Sequence, residues 1–171
     1  MNLIKKIDVN LVLYIDTLPD YNFLLNIFRF LTWIGNGHLY FLIIIAEFLY
    51  PGKEDCKTGL ILLTALALEI MIYYILKNST KRLRPFDSLD NIRKIIDVPD
   101  KYSFPSGHTA AAFVMAHILS HQFHALLPVF YITATLIGIS RIYLRAHYLT
   151  DVLTGALIGI LSANLVLWII Q

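Results

Sequence analysis

The chain has 171 residues, of which 57% are hydrophobic and 15% charged, and its formal net charge is +2. Because an ordinary soluble domain carries about 25% charged residues, this composition argues against a soluble fold and predicts an integral membrane protein. The small net charge gives no indication of nucleic-acid binding. Cys56 is the only cysteine, which excludes a disulfide framework or a thiolate metal site within one chain.

Residues 1–29 are predicted to form an amphipathic segment ahead of the membrane-spanning core. The segment has a lysine pair near its start and carries Asp8 and Asp16 within its apolar stretch. These acidic residues argue against a cleaved signal peptide and favour a helix that lies at the membrane interface. The length predicts a single domain over residues 1–171, with the helical core in residues 30–171.

Apolar segments of membrane-spanning character follow one another through the rest of the chain. A helical span needs about 20 apolar residues. Five segments fit, the first only loosely because Gly35-Asn36-Gly37 interrupts it: residues 30–50, 58–76, 109–119, 126–139 and 152–170. The pattern predicts an all-α, polytopic membrane helix bundle of five to six transmembrane helices, with the sixth in the first fifty residues. The glycine-containing interruption is interpreted as a helix break rather than a binding site.

Two polar connections between these segments are predicted to meet at one membrane surface. Residues 77–103 join the second segment to the third, and residues 140–151 join the fourth to the fifth. Because consecutive spans alternate in direction, both connections lie on the same side of the bilayer. They hold nine of the fourteen lysines and arginines. One membrane face is therefore expected to collect a basic cluster.

The first connection opens with the sequence KNSTKRLRP, residues 77–85. Lys77 and Arg84 are seven residues apart, close to two helical turns, so they share a face if the helix continues to Pro85. Two cations at a membrane boundary suit an anion, and the forked guanidinium group suits phosphate in particular. The alternative is a basic rim whose side chains snorkel to lipid headgroups.

The third apolar segment is preceded by the tetrapeptide Pro105-Ser106-Gly107-His108. Proline suits the first turn of a helix, and the two small residues leave the free backbone N–H groups of that turn accessible. These donors and the helix dipole form an anion site, beside which the histidine would stand. The alternative is a serine-capped helix start with an incidental histidine.

The second connection contains a histidine and a carboxylate at helical spacing. If the last helix starts near Ala146, His147 and Asp151 face each other at positions i and i+4. A carboxylate bonded to one imidazole nitrogen fixes the tautomer and leaves the other nitrogen free as a nucleophile. Arg141 and Arg145 add cations just before the pair. The alternative is an interfacial ion pair that only satisfies itself.

The three motifs, in this order, resemble the signature of the type 2 phosphatidic acid phosphatase superfamily, which also includes vanadium haloperoxidases and acid phosphatases. The signature reads Lys-x6-Arg-Pro, then Pro-Ser-Gly-His, then Ser-Arg-x5-His-x3-Asp. The matching residues are Lys77, Arg84, Pro85, Pro105, Ser106, Gly107, His108, Ser140, Arg141, His147 and Asp151. The resemblance covers about residues 30–171 and is weak over the first thirty.

The resemblance implies a membrane lipid phosphatase that works through a phosphohistidine intermediate, with no metal and no other cofactor. His147 is expected to attack phosphorus while Asp151 orients its ring. His108 is expected to protonate the leaving oxygen and then to assist the attacking water. The expected ligands of the phosphate oxygens are Lys77, Arg84, Ser106, Gly107 and Arg141.

The motifs leave the substrate open among phosphatidylglycerophosphate, phosphatidic acid, a lipid A phosphate and undecaprenyl pyrophosphate. A lipid phosphotransferase of the same chemistry is an alternative, as is a non-catalytic protein that binds anionic lipids. The expected partners are the lipid phosphate substrate and membrane lipids, and no nucleic acid. The resemblance places the active site on the outer face of the cytoplasmic membrane, whereas the positive-inside rule alone would place the basic connections in the cytoplasm.

Three features outside the motifs have interpretations of their own. His117, His121 and His124 have a spacing that could bind a transition metal, but their positions along the helix favour an interfacial polar belt. Glu69 is expected to hydrogen-bond between spans, with substrate gating as the alternative role. The loop of residues 86–102 alternates in charge sign and is expected to be mostly solvated surface, with contact to a lipid headgroup as the alternative.

Overall fold

A computed structural model describes residues 3–50 and 57–170. Cys56 and the rest of residues 51–56, between the first two apolar segments, lie outside the described residues. The described residues form eight α-helices and one 3-10 turn that precedes α7. The helices are α1 Leu3–Thr17, α2 Asn22–Ile34, α3 His38–Leu49, α4 Lys57–Thr80, α5 Pro85–Ser88, α6 Gly107–Gln122, α7 Leu127–Tyr143 and α8 Leu149–Ile170. The prediction of an all-α membrane fold is confirmed.

Helix α6 lies at the centre of the bundle and packs against α4, α7 and α8. Small residues on α8 allow the closest of these approaches. A Cβ atom added at Gly155 would lie 2.5 Å from the carbonyl oxygen of Ser106, and one added at Gly159 would overlap the carbonyl oxygen of Ala110. The two glycines, four residues apart, therefore let the backbones of α6 and α8 touch, as small residues do where membrane helices meet.

The outer faces of the long helices are apolar. Leu153, Leu157 and Trp168 are 58%, 56% and 82% exposed, as suits side chains that face hydrocarbon rather than water. Three helical stretches are long and apolar enough to cross a membrane, namely α4, His124–Tyr143 and α8, and the bent pair of α2 and α3 makes a fourth if it counts as one span. Helix α6 has 16 residues, fewer than a perpendicular span needs. A total of five to six spans therefore stays a prediction.

The ends of two helices differ from the prediction. Helix α4 ends at Thr80, and Lys81 follows with a φ angle of 47°, so the helix does not continue to Arg84. Arg84 is instead extended, at the start of the single turn α5 that Pro85 opens. Helix α8 begins at Leu149 rather than near Ala146. The break predicted in the first apolar segment is confirmed, because α2 and α3 meet there at an angle of 40°.

Helix α1 packs against α7 and α8. Its buried residues are Asp8 and Val12, whereas Leu3, Ile4 and Tyr14 are more than half exposed. An apolar outer face of this kind supports the interfacial location, which stays a prediction. The single domain over residues 1–171 also stays a prediction.

Candidate active site

A cavity of about 880 Å³ lies between the bent pair, α4 and the two polar connections. Its polar end holds six of the eight predicted site residues: Lys77, Arg84, Gly107, His108, Arg141 and His147. Its other end is lined by apolar side chains of α3 and α4, among them Ile44, Leu63 and Leu66. The structure thus places a basic cluster at one end of a cavity whose other end is apolar. Ser106 and Asp151 stand behind this lining.

The imidazole ring of His147 has a defined tautomer. Its Nε2 atom lies 3.1 Å from Nη1 of Arg84, and a guanidinium group can only donate a hydrogen bond. Nε2 therefore carries the lone pair, and the proton of the neutral ring is on Nδ1. Burial, together with the positive charges of Arg141, Arg84 and Lys77, holds the pKa of His147 well below its usual range. The ring is therefore neutral at physiological pH, as a nucleophile must be.

Asp151 lies near the other nitrogen of His147 but does not form the hydrogen bond that the spacing predicts. Its Oδ2 atom is 3.7 Å from Nδ1, which is longer than a hydrogen bond. The carboxylate instead accepts the backbone N–H of Tyr148, at 2.9 Å. Because α8 begins at Leu149, Asp151 is its third residue, and a side chain at that position reaches back to the helix start.

A network of charged groups holds the second oxygen of Asp151. Nη1 of Arg82 donates to Oδ1 at 2.8 Å, and Nη2 of Arg82 donates to Asp8 of α1 at 2.7 Å. Asp8 also accepts the backbone N–H of Thr150, at 3.0 Å. Both aspartates are fully buried. The first helix therefore contributes directly to the position of the carboxylate beside His147.

The predicted phosphate ligands Lys77 and Arg84 are bridged by an acidic residue of the loop. Asp100 lies 2.8 Å from Nζ of Lys77 and 2.7 Å from Nη2 of Arg84. Burial raises the pKa of the Asp100 carboxyl, but the hydrogen bonds from Lys77 and Arg84 outweigh this effect and bring its pKa below the usual value. Asp100 is therefore an anion held between two cations. Asp100 is the point at which this loop joins the site, whereas its other charged residues Asp87, Asp90, Arg93, Lys94 and Asp97 are exposed, as predicted.

Arg141 has hydrogen-bonding capacity left over. Its Nη1 atom donates to Thr32 at 3.3 Å, while its buried Nε atom has no hydrogen-bond partner among residues 3–50 and 57–170. Arg145, also expected near the site, points elsewhere: its guanidinium group is 2.6 Å from Asp16 and 3.1 Å from Asp20. Of these two arginines, only Arg141 lines the cavity.

The start of α6 presents His108 to the cavity. Nε2 of His108 lies 2.7 Å from the side-chain oxygen of Asn36, in the break between α2 and α3. A Cβ atom at Gly107 would lie 2.9 Å from the ring of Tyr73, so only glycine leaves this helix start free. The Ser106 side chain does not form the helix cap predicted as an alternative. Its hydroxyl bonds Thr109 at 2.8 Å, and its N–H donates to the carbonyl oxygen of Asp151 at 3.0 Å.

The remaining histidines and Glu69 lie apart from this cluster. His117 bonds the hydroxyl of Tyr131 at 2.6 Å and the amide of Asn164 at 3.0 Å. Within the described part of the chain, no group of three His, Cys, Asp or Glu residues is arranged to hold a metal ion. Glu69 is buried, and its side-chain Oε1 atom has no hydrogen-bond partner among the described residues, so the structure does not show the inter-span bond predicted for it.

The site contains residues that the motifs did not indicate: Asp8, Asn36, Arg82 and Asp100. The Gly35-Asn36-Gly37 break, interpreted as a break alone, also brings Asn36 to His108. Asn36 lies between two glycines in an apolar segment, and this pattern could have indicated its role. A helix break within a membrane is tolerated where it faces a cavity, so a polar residue at the break is expected to face that cavity. The acidic residue inside the first apolar stretch was a similar signal for Asp8.

Comparisons with known proteins show which proteins the chain is similar to. The chain is 34% identical to the Lipid A 1-phosphatase of Porphyromonas gingivalis over 126 residues, which cover 70% of the chain and 26% of that protein. It is 40% identical to the Bacitracin transport permease protein BcrC of Bacillus licheniformis over 86 residues, which cover 50% of the chain and 42% of that protein. The chain thus spans less than half the length of either relative.

A solved structure, that of Aquifex aeolicus LpxE, matches with a TM-score of 0.83 and 30% sequence identity, over 94% of each chain. The phosphatidylglycerolphosphate phosphatase of Bacillus subtilis matches in fold with a TM-score of 0.82, at 24% identity, over 99% of this chain and 87% of that one. The sequence model of the PAP2 superfamily matches residues 58–171, which hold all three motifs. The chain belongs to the PAP2 superfamily.

Proposed function

We propose that the protein is a membrane lipid phosphatase that removes phosphate from a phosphomonoester or pyrophosphate lipid through a phosphohistidine at His147. One observation carries the proposal. The neutral, buried imidazole of His147 lines the same end of the cavity as the cations Lys77, Arg84 and Arg141, and the other end of the cavity is apolar. A phosphate group suits the cationic end, and lipid tails suit the apolar end.

In the first step, Nε2 of His147 attacks phosphorus and the bond from phosphorus to the leaving oxygen breaks. His108, as an imidazolium favoured by the bound phosphate, gives its proton to that oxygen. The ring of His147 becomes a cationic phosphohistidine, and the negative charge of Asp151, 3.7 Å from Nδ1, stabilises it. Nε2 of His147 first exchanges its hydrogen bond with Arg84 for the bond to phosphorus.

In the second step, water attacks the phosphohistidine. His108, now neutral, accepts a proton from the water while the bond from phosphorus to Nε2 breaks. Inorganic phosphate leaves, and both histidines regain their starting states. The cations hold the three equatorial oxygens throughout, with the N–H of Gly107 as a further donor, because phosphoryl transfer depends mainly on positioning and charge neutralisation. Ser106 supports this helix start: its buried hydroxyl bonds Thr109 and stands behind the residues that line the cavity.

Three cations in one site can neutralise a phosphate without a metal ion, so the proposed reaction requires none. Vanadate, which mimics the pentavalent transition state, is expected to inhibit, whereas EDTA leaves the activity unchanged. Loss of activity with EDTA that a divalent cation restores would point to a metal enzyme instead.

The proposed location is the cytoplasmic membrane, with the site on its outer face and one domain over residues 1–171. The positive-inside rule, applied to the basic connections alone, would instead place the site on the cytoplasmic face. Asp90 is exposed on the loop beside the cavity. In a variant in which Asp90→Cys is combined with Cys56→Ser, an impermeant thiol reagent added to intact cells labels the protein if the site faces outward.

Phosphate release from a panel of lipid phosphates tests the proposed activity. The panel contains phosphatidic acid, phosphatidylglycerophosphate, a lipid A phosphate and undecaprenyl pyrophosphate. Wild-type protein is expected to release phosphate from at least one of them and His147→Ala from none. His121→Ala, a histidine outside the cavity, is the matched control and retains activity. Binding without release would support the non-catalytic alternative, and transfer of phosphate to a second lipid would support a phosphotransferase.

A further inference from the structure

A buried acidic residue lies in the apolar part of the cavity. Glu69 is 2% exposed, on α4, and its Oε1 atom has no hydrogen-bond partner among the described residues. It lines the cavity together with apolar side chains of α3 and α4, namely Phe41, Ile44, Leu63, Leu66, Ala67 and Ile70. Neither the motifs nor the proposed chemistry uses this residue.

A second unpartnered polar atom lies in the same cavity. The hydroxyl of Tyr40, on α3, is buried and lacks a hydrogen-bond partner within the described ranges. Leaving a buried polar atom unpaired costs about 1–3 kcal/mol, and more for a charged group. Two such atoms on facing helices of one cavity indicate that a ligand with its own hydrogen-bonding groups completes them.

We propose that Glu69, with Tyr40 beside the same cavity, binds a hydrogen-bonding group in the tail-proximal part of the lipid substrate. The group is an ester, an amide or a hydroxyl, so the substrate class is an acylated lipid phosphate rather than a polyprenyl phosphate. This inference rests on the proposed function, since it assumes that phosphate binds at the cationic end. It adds a specificity-determining residue to that site.

The distance along α4 agrees with this assignment. Glu69 and Lys77 are eight residues apart, so their Cα atoms are about 12 Å apart along the helix axis. Ester or amide groups of an acylated lipid lie a few covalent bonds from phosphorus, so phosphate bound at Lys77 leaves these groups further along the cavity, on the side of Glu69. A polyprenyl chain has only hydrocarbon there and would leave the Glu69 carboxyl unpaired.

Substrate discrimination is the readout that a merely structural role of Glu69 would not change. In wild-type protein we expect kcat/KM to be higher for phosphatidic acid than for a polyprenyl phosphate of similar solubility. Glu69→Leu is expected to lower kcat/KM for phosphatidic acid about tenfold or more, because the acylated lipid loses a polar contact. The same change is expected to raise kcat/KM for the polyprenyl phosphate, because its chain no longer leaves a buried carboxyl unpaired. Glu69→Gln keeps hydrogen-bonding groups, so its kcat/KM for phosphatidic acid is expected to lie between those of wild type and Glu69→Leu.

Glu47 provides the matched control, since it is another glutamate of the apolar helices. It bonds Gln122 at 3.2 Å and does not line the cavity. Glu47→Gln is expected to leave the ratio of the two kcat/KM values unchanged. An equal fall for both substrates in Glu69→Gln and Glu69→Leu, or an unchanged ratio, would overturn the assignment.

Binding to a variant that cannot turn over separates the two proposals. In His147→Ala, the shift in thermal unfolding temperature with phosphatidic acid or with polyprenyl phosphate measures affinity without chemistry. A preference for phosphatidic acid that disappears in His147→Ala/Glu69→Leu supports the subsite, even if the lipid is bound but not hydrolysed by wild type. Equal shifts for both lipids, or a polyprenyl preference, would contradict the subsite while leaving phosphatase activity intact.

Discussion

The carboxylates of Asp8 and Asp151 share a single guanidinium group, that of Arg82. Its two terminal nitrogens donate to Asp8 at 2.7 Å and to Asp151 at 2.8 Å, and both carboxylates are fully buried. Asp8 belongs to the first helix of the chain and Asp151 to the last. The carboxylate beside His147 is thus oriented through a residue of the N-terminal segment, where the resemblance to the family is weakest.

Replacing Asp8 with Asn is therefore expected to impair catalysis. The amide keeps one acceptor but removes the negative charge that holds Arg82, so Asp151 loses its fixed orientation. We expect kcat to fall about tenfold, equivalent to about 1.4 kcal/mol, with KM changed little. Steady-state phosphate release tests this, with the exposed Asp87→Asn as control. An Asp8→Asn protein that is less stable to heat but retains the wild-type kcat would assign Asp8 a structural role only.

In the proposed mechanism, Asp100 competes with phosphate for Lys77 and Arg84. A phosphoryl group that binds these cations must replace the Asp100 carboxylate or share them with it. Asp100→Asn is therefore expected to lower the inhibition constant of vanadate about tenfold. The control is Asp97→Asn on the same loop, because the Asp97 side chain is fully exposed and pairs only with Lys94 among the described residues. A weaker inhibition by vanadate in Asp100→Asn would mean that Asp100 positions the cations instead.

If His147 is the nucleophile, as proposed, its lowered pKa is expected to set the acid side of the pH profile. Because protonation would remove the lone pair, kcat/KM is expected to fall only below the usual histidine value of about 6.5. Arg141→Gln removes a positive charge that disfavours the imidazolium, so the pKa of His147 rises and the half-maximal pH moves upward. The ionisation of the substrate is the same with both proteins. The difference between their pH profiles therefore reports on ionisation of the enzyme. A midpoint that stays unchanged or moves to lower pH would contradict this assignment.

The contact between α6 and α8 tolerates no side chain at Gly159. A methyl group there overlaps the carbonyl oxygen of Ala110, so Gly159→Ala forces the two helices apart. Overpacking of this kind costs about 1–3 kcal/mol, and we expect a lower unfolding temperature in detergent. Leu157→Ala, on the outer face of the same helix, is the control and changes the temperature less. Equal effects would show that close packing at Gly159 does not limit stability.

Much of this arrangement could be predicted from the sequence because the motif residues lie next to apolar segments. The length and composition of those segments indicate helices, and their alternation across a bilayer brings the two polar connections together. Lys77, Arg84, His108, Arg141 and His147 line one cavity, as that reasoning predicts. The start of α6 at the Pro-Ser-Gly-His sequence could also be predicted from local signals in the sequence.

The rest depends on contacts that no local pattern indicates. Asp100 reaches Lys77 and Arg84 because the loop folds back, with the N–H of Ser103 donating to the carbonyl oxygen of Arg82 at 2.8 Å. The sequence of that loop shows only alternating charges, which are typical of solvated surface. The end of α4 was also not predictable, because Lys81 adopts a positive φ angle that non-glycine residues rarely adopt.

Trapping the covalent intermediate tests the central claim most directly. The protein is mixed with a lipid phosphate of the panel, labelled at phosphorus, and quenched within milliseconds under alkaline denaturing conditions, in which phosphohistidine is stable. We predict transient label on wild-type protein that maps to the peptide containing His147, and no label on His147→Ala. The control His121→Ala labels as wild type does. Turnover by wild type without label at His147, or label that persists in His147→Ala, would contradict the account.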